Sequence, residues 1–539
     1  MAHFTSLPTE VIVCVWLFLP PADIKACKLV SRPLIALIQR SLDLQYLLEL
    51  DTQGFVPPLD SSDKLSLYQK VLILREKRSI TESGRKHGLD AHMANFKLSR
   101  IMHSNIQYSR GVLAVADPPT DGHRQLRLCQ LASKNKSTEY SPAKLEDLIV
   151  AADDFRFDPD LDLLALLEVV PIQSGAITDT GMNIHLKSLT TGLPHPLATM
   201  PALVNTSRPT FRHQISFQIV GRRLALLYPL YSFCKNSSNI LIWDWITGEL
   251  VVSMPVFGPD FAFISEDVFV VPVGQSAEAE SNSVGFLEVY TIADIPSGGC
   301  PRHVASLHLP ATAGERCHTR GYLIATSPSP APLLIKQYPK FTPSKRIYEI
   351  DPKVHHLCLR IKSLDNGNTP TTTLSGLLFI PVSGIHHVLQ NEMAVKSQSH
   401  ISIPWDDWDR GASWVGSSRL KSGSHCVFGH RAAFIRSERK EPGWRVFLFD
   451  LRATAQGETM SEWLRGQGEE KSTLGVSWHA GISNTQMGVR EPRIAASFII
   501  PGNKRCANKN VPPKLFLDDE HIVTCDSELF ALSVTDRQI

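Results

Sequence analysis

Apolar residues near the start of the chain recur at the spacing of short helices, whereas from about Asn95 they form short alternating runs. The first helical face consists of Val11, Ile12, Val15, Trp16 and Leu19. Pro20-Pro21 ends this helix because proline has no backbone N–H and restricts the residue before it. The opening pattern therefore predicts a helical unit within residues 7–50, followed by a different architecture.

Two more short helices follow within this unit. Asp23 is a suitable N-cap for a helix over Ile24 to Val30. Ser31 caps a third helix, which has Pro33 in its first turn, where proline costs least. Three helices of this length carry more apolar surface than they can bury among themselves, so they predict a protein–protein interface.

The same segment resembles the F-box family. The matching residues are Leu7-Pro8, Glu10-Val11-Ile12, Val15-Trp16, Leu19, Asp23-Ile24, Cys27 and Val30-Ser31-Arg32. One departure is Leu34, where the family usually has an aromatic residue. The resemblance implies docking on the Skp-type adaptor of a cullin–RING ubiquitin ligase. Its adaptor-binding residues would be Leu7, Pro8, Val11, Ile12, Val15, Trp16, Leu19, Pro20, Ile24, Leu29 and Val30.

Two other interpretations of this segment stay open. Val11 to Leu19 is an unbroken apolar run that a secretory signal peptide could contain, but no Lys or Arg precedes it and Glu10 directly abuts it. Alternatively, the apolar stripe could serve only the folding of an ordinary helical hairpin.

Residues 51–94 are predicted to link the helical unit to the next domain. A loop rich in turn formers covers 51–63, and a helix with an apolar stripe follows from Lys64 to about Lys77. The ending LILREKRSI resembles the helix after the F-box in fungal F-box families. This helix could hold the F-box and the next domain at a fixed distance, or it could belong wholly to the core of the first domain.

Residues 95–539 are predicted to form an all-β propeller. Paired apolar strands recur about every 45–60 residues, near the period of a propeller blade. Ile242 to Gly248 (IWDWITG) resembles a WD repeat, and Phe449-Asp450-Leu451 is a degraded copy. The expected fold is a small all-α domain (1–50) followed by a WD-like propeller of six to eight blades, in which Lys97 to Met102 pairs with Leu529 to Val534. A β-sandwich or two all-β domains is the alternative.

Composition narrows the functional classes. Hydrophobic residues make up 43% of the 539 and charged residues 20%, with a net charge of +2. These values give no electrostatic reason to expect nucleic acid or an anionic membrane as partner. No apolar run approaches the ~20 residues of a membrane span. The ten cysteines lack a CxxC pair or a dense framework, which favours reduced thiols and a cytoplasmic or nuclear location.

No catalytic constellation stands out, and no metal site or cofactor is expected. The pairs His355-His356 and His386-His387 are interpreted as surface or turn residues, since neighbours on a strand point to opposite faces. The acidic run from Asp153 to Asp162 lacks the Gly and Glu of a calcium loop and predicts a turn at a strand edge. A propeller hydrolase or lectin with an N-terminal interaction module is an alternative, although no acidic residue or histidine recurs in each blade.

The loop PWDDWDRGASW (404–414) has the composition of an interface hot spot. Trp405, Trp408, Arg410 and Trp414 are therefore candidate substrate-binding residues. The competing interpretation is that they pack an insertion against the propeller wall. The chain as a whole is expected to be a non-catalytic substrate receptor of an SCF-type ligase that binds an unknown protein. A non-ligase F-box scaffold is the nearest alternative.

Overall fold

The structure is a computed structural model of the 539-residue chain. It describes residues 7–58, 64–83, 105–116, 124–135, 141–148, 152–174, 177–205, 215–229, 237–274, 284–293, 295, 298–310, 317–326, 346–365, 375–395, 401–416, 425–437, 443–452, 459, 462, 490–501, 514–525 and 529–533.

The chain begins with a small helical region. Its elements are α1 (Thr9–Trp16), α2 (Pro21–Cys27), α3 (Arg32–Arg40), α4 (Leu42–Gln53), the short strand β1 (Phe55–Val56) and α5 (Leu67–Ser83). The predicted second helix was wrong in its bounds, because α2 begins at Pro21 with Pro20 as its N-cap and Asp23 lies in its first turn. The Ser41 side chain accepts a hydrogen bond from the Leu44 amide at the start of α4 (3.4 Å). Gly54 ends α4 in a left-handed conformation with φ 74°, a conformation that glycine adopts without strain.

Six sheets follow in chain order and form a propeller-like ring of six blades. The first three blades are β2 (Asn105–Ser109), β3 (Val112–Ala116), β4 (Arg124–Gln130) and β5 (Ser141–Leu148); β6 (Asp154–Asp158), β7 (Leu163–Ser174), β8 (Ile177–Ser188) and β9 (Ala202–Asn205); and β10 (Ser216–Val220), β11 (Arg223–Pro229), β12 (Ser238–Asp244) and β13 (Glu249–Val256).

The next three blades complete this series. They are β14 (Ala262–Ser265), β15 (Val268–Gly274), β16 (Gly285–Thr291) and β17 (Arg302–His308); β18 (Cys317–Thr326), β20 (His356–Asp365), β21 (Ser375–Pro381) and β23 (Ser413–Gly416); and β24 (His425–Phe428), β25 (Arg431–Ser437), β26 (Gly443–Asp450) and β27 (Arg493–Pro501). Blade five also carries the short strand β19 (Glu349–Ile350), and blade four gains a fifth strand, β22 (Ile401–Ile403).

A three-stranded sheet, called the closing sheet, lies between blade six and blade one. It consists of β28 (Lys514–Leu517), β29 (His521–Cys525) and β30 (Leu529–Ser533). Val523 packs with Ile106 and Leu113 of blade one, and Ile522 packs with Val446 of blade six. The predicted pairing of Lys97 to Met102 with the last strand lies outside the described residues.

The connections between strands divide the ring into two faces. Strands pair in chain order within each blade, so the first-to-second and third-to-fourth connections lie at one face, called the helix-side face. The N-terminal helical region contacts this face through β1, the short strand after α4. β1 pairs with β19, which lies in the first-to-second connection of blade five. The second-to-third connections and the links between blades lie at the opposite face.

Blade five carries an insertion that the sequence pattern did not predict. Between β21 and β23 the chain forms α6 (Val382–Val395), β22 and the single turn α7 (Trp405–Trp408), with β22 pairing in parallel to β17 of blade four. His386 and His387 therefore lie on a helix, so the turn interpretation was wrong for them, whereas His387 is exposed as expected of a surface residue and His386 is half-buried. His355 and His356 are buried, so the surface interpretation was wrong for them.

The WD-like segment forms a tight turn at the end of β12. Asp244 Oδ1 accepts hydrogen bonds from the Ile246 and Thr247 amides (3.0 and 3.2 Å), and its Oδ2 pairs with Arg222 (2.6 Å). Gly248 follows with φ 77°. Asp244 is needed here because one carboxylate satisfies two turn amides and a guanidinium at once.

Candidate docking surface on the N-terminal helices

The N-terminal helices have a small core of their own. One side of α1 supplies Ile12 and Trp16, which are 4% and 2% exposed. These residues pack with one residue of α2 and with pairs from α3 and α4: Ile24, Leu34, Ile38, Leu44 and Leu48. The core is complete within the first four helices, so their fold does not require the remaining apolar side chains of α1.

Those remaining side chains face solvent. Val11 and Val15 lie one turn apart on one side of α1, and Leu7 lies two residues before the helix begins; all three are 40 to 44% exposed. Phe18 in the turn after α1 is 89% exposed, and Leu29 after α2 is 90% exposed. The stripe and the two turns form a surface that this region leaves uncovered, called here the docking surface: Leu7, Pro8, Val11, Val15, Leu17, Phe18, Leu29 and Val30.

The structure sorts the predicted adaptor-binding residues into two groups. Exposed residues are Leu7, Pro8, Val11, Val15, Pro20, Leu29 and Val30, and Leu19 is half-buried. Ile12, Trp16 and Ile24 lie in the core, so they support the docking surface and do not form it. Phe18 and Leu17 were not singled out from the sequence, because helical periodicity groups apolar residues without distinguishing the buried side from the exposed one.

Charged side chains border the docking surface. Glu10, Asp23 and Arg32 are exposed, and Lys28 is partly exposed beside Leu29. Lys25 is engaged by Asp51 at the far end of α4 (2.5 Å). The surface is thus an apolar centre with a mixed polar rim, the arrangement typical of protein–protein interfaces.

The helical region is attached to the propeller by contacts of its last elements. Glu49 on α4 pairs with Arg75 and Arg78 on α5 (3.2 and 2.7 Å), which fixes the two helices together. The Tyr46 hydroxyl donates to the Ile347 carbonyl, and the Asp351 amide donates to the Gly54 carbonyl (3.0 Å). These contacts come from the far end of the helical region and leave α1 and α2 free for a partner.

The tryptophan-rich loop is buried. Trp405, Trp408 and Trp414 are 7, 2 and 4% exposed. Trp408 donates its indole N–H to the His308 carbonyl of blade four (3.0 Å), and its ring packs edge-on against Trp405. Only Arg410 of the four candidate residues is exposed. This arrangement favours packing of an insertion against the propeller wall, and substrate binding by these residues stays a prediction.

The other candidate clusters are occupied by the fold itself. In the acidic run, Asp160 pairs with both Arg110 and Arg346. Within the described ranges, no group of three or more His, Cys, Asp or Glu side chains is placed to hold a metal ion. No helix in the described part of the chain combines the length and apolarity that a membrane crossing needs.

Comparisons with known proteins add little to this description. No protein-family model matches the chain, and no curated protein matches it. Among solved structures, an uncharacterized protein from Listeria monocytogenes EGD-e matches with a TM-score of 0.28 and 8% identity over 69% of this chain and 100% of that one. Similarity at this level carries no argument about fold or function.

Proposed function

We propose that this chain is an F-box-type substrate receptor of an SCF-type ubiquitin ligase. In this proposal the docking surface binds a Skp-type adaptor, and the propeller binds a protein substrate. Ubiquitin transfer belongs to the RING subunit and its conjugating enzyme, so this chain contributes orientation and effective concentration. The F-box part of the proposal rests on the sequence resemblance of residues 7–32.

The observation that best supports the proposal is where the exposed apolar side chains lie. Seven of the thirteen large hydrophobic residues that are exposed in the described part of the chain fall between Leu7 and Val30. Single exposed apolar residues are ordinary on a protein surface, but a contiguous group marks an interaction site. The neighbouring core is already complete, so folding alone does not account for keeping this group apolar.

The two faces of the propeller provide a place for the substrate. The helical region contacts the helix-side face, so we assign the substrate to the opposite face, which an adaptor-bound helical region would leave uncovered. Most loops of that face lie outside the described residues. The tryptophan insertion joins third and fourth strands and therefore belongs to the helix-side face.

The proposal is tested by a matched pair of double variants. Phe18→Ser with Leu29→Ser removes two exposed apolar side chains of the docking surface. Phe257→Ser with Leu193→Ser makes the same chemical change at positions 67 and 65% exposed elsewhere. We expect the first pair to weaken binding to a purified Skp-type adaptor by about 30- to 1,000-fold, the equivalent of about 2–4 kcal/mol. The control pair should bind like wild type.

Calorimetry of adaptor binding distinguishes these outcomes, because all four positions are exposed and their substitution spares the cores. Failure of the folded wild-type chain to bind the adaptor would refute the proposal, as would equal weakening by both pairs. Adaptor binding without incorporation into a complete cullin–RING assembly would favour the scaffold alternative over the ligase receptor.

Cysteine alkylation offers a second readout that needs no variant. Cys14 lies on α1 one turn before Phe18 and is exposed, and Cys300 on blade four is also exposed. Excess adaptor should protect Cys14 from iodoacetamide while Cys300 keeps its rate, as measured by mass spectrometry of the two peptides. Equal labelling of Cys14 with and without saturating adaptor would place the interface elsewhere.

A further inference from the structure

A lysine of α5 is buried where the propeller ring closes. Lys77 is 2% exposed. Its Nζ lies 4.8 Å from the ring centroid of Phe55 and 4.6 Å from that of Tyr348, and it donates to the Tyr348 hydroxyl. The Asp519 carboxylate is 3.5 Å away. The ammonium group therefore lies among two aromatic rings, a hydroxyl and a carboxylate.

Such a set of partners compensates for the loss of water around a charged group. Burial lowers the pKa of Lys77, and the negative charges of Asp519 and Glu520 oppose that shift. A desolvated ammonium is attracted to aromatic faces and to a nearby carboxylate. The site is thus built for a cation supplied by α5.

The partners of Lys77 come from distant parts of the chain. Phe55 belongs to β1, Tyr348 to the connection between β18 and β20 of blade five, and Asp519 to the turn between β28 and β29 of the closing sheet. The rings of Phe55 and Tyr348 stack with centroids 4.1 Å apart. One side chain of α5 therefore touches both the connection from blade five and the last sheet of the ring.

The same turn of the closing sheet is also bound to blade one. The Ser133 hydroxyl donates to Glu520, and the Asn135 amide N–H donates to Glu520 Oε1 (3.0 Å). Asn135 also holds the connection from blade five, because its Oδ1 accepts from the Ile347 and Tyr348 amides (2.9 and 3.2 Å). Blade one, the closing sheet and blade five thus meet at the Lys77 site.

We propose that α5 is a clasp of the propeller: Lys77 joins the closing sheet to the connection from blade five beside blade one and so keeps the ring closed at this junction. The N-terminal helices are then part of the propeller's closure, and the helical region and the ring open together. This proposal does not depend on adaptor binding.

Hydrogen–deuterium exchange of the full chain tests the clasp. Lys77→Met keeps most of the length of the side chain and removes its charge. We expect amide exchange in β28 and β29 (514–525) to rise at least tenfold, while blade three (237–256) stays at the wild-type rate. Lys70→Met is the matched control, since Lys70 lies on the same helix, is only partly buried and sits 5.9 Å from the ring centroid of Tyr46.

Two further variants keep the test decisive. Tyr348→Phe serves as the test if Lys77→Met proves too unstable to study. It retains the ring and removes only the hydroxyl, so it should raise the exchange of 514–525 by a smaller factor. Adding Asp519→Asn to Lys77→Met removes the carboxylate left without its cation and should restore part of the protection.

Unchanged exchange in 514–525 in both Lys77→Met and Tyr348→Phe would overturn the proposal. Exchange that rises equally in blade three would also overturn it, because it would show a general loss of stability and no opening at the junction.

Discussion

The histidine of the closing sheet should be charged at neutral pH, and this charge should stabilise the fold. His521 Nδ1 lies 3.2 Å from Asp518 Oδ1, and its Nε2 lies 2.8 Å from the Ala132 carbonyl oxygen of blade one. Both neighbours are acceptors, and only the doubly protonated ring can donate to both. Burial alone would lower the pKa of His521, but the charge and hydrogen bond of Asp518 raise it to about 9.

The magnitude follows from the difference between the folded and unfolded pKa. A rise from about 6.5 to about 9, at about 1.4 kcal/mol per pKa unit, corresponds to about 3 kcal/mol of stability. Because the folded pKa is raised, the contribution is fully present below pH ~6.5 and is lost as the pH rises through ~9. Burial opposes ionisation of Asp518, yet the charge of His521 brings the pKa of this carboxyl below its usual value, so the carboxylate stays charged across this range.

Other buried histidines titrate outside this window. Burial and the nearby Arg110 lower the pKa of His355 to about 4, and burial also lowers the pKa of His356 and of His430. These three take up protons only below pH ~6.5, so they do not contribute to a loss of stability between pH 6.5 and 9.

Histidine C2-proton exchange followed by mass spectrometry measures the individual pKa values. It should give a pKa near 9 for His521 and one near 4 for His355 in the same sample. The free energy of unfolding in guanidinium should fall by up to about 3 kcal/mol more for wild type than for His521→Asn between pH 6.5 and 9. The asparagine keeps a donor for Asp518 but does not titrate. A pKa of 6.5 or below for His521, or identical pH slopes for the two chains, would refute the reasoning.

Three other substitutions test the packing of the propeller, each by chemical unfolding. Trp408→Ala should cost about 3–5 kcal/mol because it empties a buried site and leaves a carbonyl without its donor, whereas exposed Arg410→Ala should be neutral. The reverse order would show that Trp408 does not anchor the insertion to the propeller wall. Gly54→Ala should cost about 1–3 kcal/mol, because φ is 74° at this position and a Cβ would lie 2.8 Å from His430 Nδ1. A neutral result would show that this turn can shift. Asp244→Ala should destabilise more than Asp244→Asn, which keeps an acceptor for the turn amides; equal losses would attribute the effect to the ion pair alone.

Local patterns anticipated the repeating elements. The apolar spacing and the proline pair predicted α1 and its end, and a second helix was predicted three residues later than α2 begins. The turn-bounded apolar runs predicted a ring of six to eight blades, and the structure has six. The predicted helix from Lys64 to about Lys77 corresponds to α5, which runs from Leu67 to Ser83. The predicted loop at 51–63 was wrong at its start, because α4 continues to Gln53 and β1 follows. These successes share a cause: helices, strands and tight turns are specified by residues close together in sequence.

The contacts that unite the molecule could not be anticipated in this way. Lys77 and Tyr348 are 271 positions apart, and nothing near Lys77 in the sequence shows that it is buried. In the charged run LREKR of α5, a lysine is expected to face solvent. The burial of the three tryptophans at 405–414 could not be anticipated for a related reason, since composition does not distinguish an exposed aromatic from one that packs against a neighbouring blade.

The connection between Tyr46 and Ile347 has a consequence for biosynthesis. The two residues are 301 positions apart, so a ribosome adding about 5–20 residues per second needs roughly 15–60 s to produce the second after the first. Throughout that interval the inner side of α4 lacks its partner on the nascent chain, whereas the core formed by residues 12–48 can already assemble. The surface on α1 is therefore available to a partner before the ring exists, and a partner bound that early would accompany an incomplete propeller through the rest of its synthesis.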